Sequence, residues 1–143
     1  DCTVDFQCAV RWERDIYEGI LDAPFDAEVP TGACGAPDCH NEGAGGLRFP
    51  SGNADEAYFQ LVAYELVGGR DYVAPCHPEL SHIICNLRTE NGVANPFIGD
   101  DNAFSGGCGS PMPKLSEVVD EEPINQDQLD DLIDWIVCGA PQN

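Results

Sequence analysis

The side chains best suited to chemistry in this chain are Cys34, Cys39 and His40, in the run Cys34-Gly35-Ala36-Pro37-Asp38-Cys39-His40. Two neighbouring thiols followed by an imidazole can hold a haem covalently. The sulfurs form thioethers with its vinyl groups, and the imidazole ligates iron from the same turn. The usual spacing is Cys-x-x-Cys-His. Here four residues separate the cysteines, so spanning the vinyl groups needs a bulged backbone, which Gly35 and Pro37 permit. The same run also reads as a short disulfide loop beside an ordinary histidine. The single methionine, Met112, lies in Ser110-Pro111-Met112-Pro113, an irregular stretch rather than a helix face. A lone methionine commonly fills a gap in a core. Flanking prolines instead stiffen the backbone and present the side chain at a fixed angle. Held that way, the thioether can be the sixth ligand of a haem iron with His40 as the fifth. Such ligation raises the reduction potential and leaves no open position on iron, which favours electron transfer over oxygen chemistry.

Other chemistries are less well served. Cys34, Cys39, His40, Cys76, His77, His82 and Cys85 include ligand types that zinc prefers, but Cys-x4-Cys is wide for a structural site and no Cys-x2-Cys half appears. His77 reads more simply as a helix-start residue and His82 as a surface or rim side chain, with bis-His haem ligation through either as a secondary option. Asp100-Asp101-Asn102 lacks the alternating oxygen ligands of a calcium loop. No Ser/His/Asp grouping or isolated carboxylate pair stands out as catalytic, so the chain reads as a carrier rather than an enzyme. Six further cysteines, Cys2, Cys8, Cys76, Cys85, Cys108 and Cys138, allow 15 pairings, and their even number fits three disulfides in an oxidising compartment. A bridge at Cys108, four residues before Met112, would pin the methionine loop. Cys76 and Cys85 bracket a helix too widely to pair with each other and are expected to staple it to neighbours.

Four helices are predicted to position these groups. The first spans about Val10 to Leu21, with Trp12, Ile16, Tyr17, Ile20 and Leu21 at i, i+4, i+5, i+8 and i+9. Pro24 is expected to end it, and a Gly/Pro/Ala-rich loop follows. The second spans about Ala54 to Val67, capped by Asn53 and ended by Gly68-Gly69. A short third helix starts at Pro78 and is expected to bury Leu80, Ile83, Ile84 and Leu87. After a loop from Thr89 to Pro113, a last helix begins at a capping box of Asn125 and Gln128. It carries Leu129, Leu132, Ile133, Ile136 and Val137 on one face and stops at Gly139. No stretch alternates as a strand, so the expectation is an all-α, disulfide-stapled fold with long ordered loops. Those loops need cross-links or a ligand to organise them.

Composition sets the outer limits. The 143 residues suit one domain, 1–143, with residues 1–9 as an extension carrying two cysteines. Against 26 Asp and Glu stand six Lys and Arg, a net charge of −20 that argues against nucleic acid and anionic lipid as partners. No apolar run is long enough to span a membrane, which predicts a soluble chain. No basic-then-apolar leader opens the sequence, as expected of a processed chain or one without a leader. The acidic residues at 120–122 and along the last helix read as a solvated face, or else as a field steering a basic redox partner.

The order of pieces resembles a class I c-type cytochrome, and more closely the short cytochrome c-like domains common in planctomycete and myxobacterial proteins. Those domains read Cys…Cys-His, Gly-Gly-Leu, Ala-Tyr-x-x-Leu-Val, Val-x-Pro-Gly-Asp-Pro-x-x-Ser, Met-Pro and Leu-x-x-Trp-Ile-x-x-Gly-Ala-Pro. The corresponding stretches here are Gly45-Gly46-Leu47, Ala57 to Val62, Val73 to Ser81, Met112-Pro113 and Leu132 to Pro141. Departures are the four-residue spacing between Cys34 and Cys39, and Cys76-His77 where the pattern has Gly-Asp. The resemblance implies a small helical cytochrome domain with one covalent haem c on Cys34 and Cys39, His40 and Met112 as axial ligands, and an exported, periplasmic or cell-surface location. It implies single-electron exchange with larger redox proteins. A haem-free, disulfide-rich module of the same frame, used for binding or assembly, is the alternative.

Overall fold

The computed structural model describes residues 2–22, 46–66, 69–87 and 124–143. Helix α1 (Trp12–Leu21) is wound more widely than an α-helix, with i to i+5 bonds such as Asp22 N–H to Tyr17 O at 2.6 Å. The spacing of its apolar residues explains why. At 100° per residue, positions i, i+4, i+5, i+8 and i+9 spread over roughly 180°, half the circumference. At roughly 4.4 residues per turn the same positions close to about 110°, a single stripe. All five residues are buried.

Helix α2 (Ala54–Ala63) begins at Asn53, whose side chain accepts the Glu56 N–H at 3.1 Å. It stops four residues short of the predicted Val67. Instead of one longer helix, strands β1 (Glu65–Leu66) and β2 (Arg70–Asp71) form an antiparallel hairpin, pairing Glu65 with Asp71 and Leu66 with Arg70. Gly69, expected to end the helix, lies in the turn with φ +72° and donates to Leu66 O at 3.0 Å. The edge-on pair of Tyr64 and Tyr72, 5.6 Å between centroids, flanks this hairpin and favours it over another helical turn. The expectation of an all-α chain is therefore corrected by a small two-stranded sheet.

The third predicted helix is broken in two. A 3-10 turn (Pro78–Leu80) precedes helix α3 (His82–Asn86), and Ser81 between them is extended. Ser81 is fully buried; its hydroxyl accepts the Ala74 N–H at 2.9 Å and faces the His77 carbonyl at 3.0 Å. The break turns the two pieces in different directions. Leu80 is 49% exposed, contrary to expectation, whereas Ile83, Ile84 and Leu87 are buried as expected. His82, expected at the surface or rim, is 5% exposed beside Tyr72.

Helix α4 (Gln126–Val137) carries the predicted capping box: Asn125 accepts the Gln128 N–H at 2.9 Å and Gln128 accepts the Asn125 N–H at 3.0 Å. Gln128 also donates to Gly19 O at 2.8 Å, tying the start of α4 to the end of α1. At the far end Gly139 has φ +87° and donates to Ile136 O, while Ala140 donates to Trp135 O, the paired bonds of a Schellman cap. Helices α1 and α4 pack on each other, with α2 against α1. Between them Trp12 meets Trp135 at 5.3 Å and Tyr58 edge-on at 5.2 Å. The polar tips of these rings are matched: Trp12 to Ala54 O, Trp135 to Pro141 O and Tyr58 to Ala140 O. Among the described residues no helix is long and apolar enough to cross a membrane.

Candidate functional site

Cys34, Cys39, His40 and Met112, the predicted attachment and ligand residues, lie outside the described residues, as do Cys108 and Pro24. The described residues show the frame that flanks them in sequence. Leu47, just after the Cys34–His40 run, is buried. Tyr17 anchors the segment that follows, donating to Pro50 O at 2.6 Å and accepting the Asn53 N–H at 2.8 Å.

Most of the cysteine chemistry is now assigned. Cys2 bonds to Cys76 and Cys8 to Cys138, and Cys85 is also disulfide-bonded, to a partner outside the described residues. Cys76 and Cys85 are thus not paired with each other, as expected, and Cys76 ties the turn before its helix to the segment at Cys2. Being oxidised, they cannot give thiolates to zinc, which removes two members of the possible zinc set. Among the described residues no group of three or more His, Cys, Asp and Glu is arranged to hold a metal ion. His77 sits at the start of the 3-10 turn, with its ring 3.0 Å from Glu79, and His82 lies in the core.

The pairings themselves could not have been read from spacing, since they depend on which chain segments meet. One local signal was available for Cys76. Its φ is +65°, the left-handed conformation that favours glycine, and it stands where the cytochrome-like pattern has Gly.

The outer faces of α1 and α4 carry a shared field of carboxylates. Burial raises the Asp131 pKa first, and Asp15, Asp134, Asp127 and Asp130 raise it further. Asp15 is held low by its bonds to Arg14, aided by the Arg11 N–H at 2.7 Å. A polar cleft between Trp12, Asn53, Asp55 and Asn143 is bridged by the chain's own side chains: Gln142 donates to Asp55 at 2.8 Å, and Asn143 accepts the Trp12 N–H at 3.0 Å. No family model, curated protein or solved structure matches the chain.

Proposed function

We propose that this chain is a monohaem c-type cytochrome, an electron carrier exported to an oxidising compartment. The observation that carries the reading is how the described part of the cytochrome-like pattern interlocks. Tyr58 of the Ala-Tyr piece donates to Ala140 of the Gly-Ala-Pro piece, and Trp135 donates to Pro141. Ser81 locks back onto Ala74, Cys76 takes a glycine conformation at the pattern's Gly, and the Cys76 N–H bonds Ile136 O at 2.7 Å. Residues scattered over more than half the sequence thus support one another, as the pieces of one sequence pattern should.

In this reading Cys34 and Cys39 would tether the haem, and His40 and Met112 would ligate its iron. When bound, the haem supplies a one-electron couple. Prolines on either side of Met112 would stiffen the backbone that carries its thioether, and apolar helix faces would keep water from the iron. The donor set fits the group: an imidazole and a thioether suit haem iron, and the Cys2–Cys76 and Cys8–Cys138 disulfides consume neither attachment cysteine. Five cysteines are described, four of them paired with one another, so Cys85 is bonded to Cys34, Cys39 or Cys108. The reading requires Cys108, whose bridge would also pin the methionine loop.

Two measurements test it. The native protein should show a Soret band, and a reduced α-band that persists after denaturation; a colourless protein rejects the reading. Non-reducing peptide mapping should join Cys85 to Cys108. A bond from Cys85 to Cys34 or Cys39 would rule out double attachment. It would favour the second reading, a haem-free disulfide-rich module for binding or assembly, for which the density of disulfides already speaks.

A further inference from the structure

We propose that the Cys2–Cys76 disulfide is a redox-sensitive clasp, which a dithiol reductant opens ahead of the rest of the fold to release a strained turn. Three segments meet at this bond. Residues 2–5 lie across the end of α4, where the Asp5 N–H bonds Cys138 O at 2.8 Å and Val4 packs on Gly139. The turn at 74–77 closes through His77 N–H to Ala74 O at 2.9 Å, and its Cys76 N–H reaches Ile136 O. The disulfide fastens the first segment to the second across a sequence separation of 74 residues.

Accessibility and conformation set this bond apart. Cys2 is exposed and Cys76 half-buried, whereas Cys8 and Cys85 are each 4% exposed. Thiol exchange needs a thiolate to reach a sulfur, and Cys2 offers an exposed one, whereas the Cys8–Cys138 bond offers only the half-buried Cys138 beside a buried Cys8. Cys76 is also held at φ +65°, which a residue with a Cβ adopts only when its surroundings impose it. The disulfide is one of those restraints, and cutting it lets the turn relax.

The chemistry balances as a two-electron exchange. One thiolate of the dithiol attacks Cys2 Sγ, forming a mixed disulfide, and Cys76 leaves as a thiolate that takes up a proton. The second thiol of the reductant then displaces Cys2, leaving two protein thiols and an oxidised, disulfide-bonded reductant. Cys8–Cys138 and the Asp5 to Cys138 bond remain, so the fold persists while residues 2–4 and the turn before α3 are freed. Neither cysteine belongs to the Cys34–His40 run, so the device stands independently of the haem reading.

Limited treatment of the native oxidised protein with dithiothreitol, followed by alkylation and peptide mapping, tests the order. Cys2 and Cys76 should be alkylated at least tenfold faster than Cys8 and Cys138, with near-ultraviolet circular dichroism largely retained. Equal rates, the reverse order or concerted loss of the signal overturn the proposal. The strained turn is tested in two double variants, Cys2→Ser with Cys76→Gly and Cys2→Ser with Cys76→Ala. The glycine form should melt about 3 °C above the alanine form, since glycine accepts the left-handed turn at little cost. An alanine form as stable as the glycine form would show that no strain is stored there.

Discussion

Gly139 and Gly52 both have positive φ, +87° and +71°, yet they do different work. A Cβ at Gly139 would stand 2.9 Å from Val4 Cα, a backbone atom that cannot step aside cheaply, whereas a Cβ at Gly52 would meet nothing within 4 Å. Gly52→Ala should therefore cost only the left-handed penalty, about 1–2 kcal/mol. Gly139→Ala should cost about 3 kcal/mol or more, because the backbone at Val4 and the Schellman cap cannot both be kept. Paired denaturant titrations check this, and equal losses would refute the clash. Gly139 was legible as a helix stop because capping chemistry is local. The crowding that makes it irreplaceable was not, because Val4 is remote in sequence. The cysteine pairings were hidden for the same reason. Of the candidate ligands, Cys34, Cys39, His40 and Met112 rest on the sequence alone, since all four lie outside the described residues.

At the scale of elements, the α1–α4 contact combines a close apolar seam with opposed carboxylates outside it. Asp131 is flanked by Asp127, Asp130 and Asp134 on its own helix and by Asp15 and Arg14 across the seam. Its pKa is raised in the folded chain by burial and then by those carboxylates, so its ionisation opposes folding. That penalty is absent below the unfolded-state pKa and grows as pH rises through the folded-state value. Asp131→Asn should accordingly raise the melting temperature at about pH 7, with the gain shrinking toward about pH 4 as the wild-type carboxyl takes up its proton. Melting both proteins across that range decides the matter, and a gain independent of pH would implicate packing instead. Asp15, held low by Arg14, behaves oppositely: its contribution is present at neutral pH and fades as acid protonates it. The elements themselves were read with uneven success. The apolar positions of α1 were identified correctly, but a template of 3.6 residues per turn hid its wider winding. The far end of α2 was missed because Tyr64 and Tyr72 pair across a hairpin, a contact that helix-stop signals do not carry.

For the whole molecule the dominant fact is a charge of −20 on 143 residues. Like charges at this density repel within the compact state, and salt relieves that repulsion. Between about 0.01 M and about 1 M salt the screening length falls from roughly 30 Å to roughly 3 Å. The melting temperature should rise by several degrees over that interval; under the proposed carrier reading, electron exchange with a basic redox protein should slow. A rate that stays flat with salt would remove steering from the account and leave the acidic face as a solvated surface. The aromatic core has an optical consequence as well. The only two tryptophans, Trp12 and Trp135, lie close together at a tilt and are fully buried, so the protein's ultraviolet emission comes from a single spot that straddles the α1–α4 seam. Under the haem reading proposed above, a porphyrin held in a domain of this size would lie within energy-transfer range of that spot and darken it. The brightness of the native protein would then report haem loading, and the shift of its emission on unfolding reports the parting of the first and last helices.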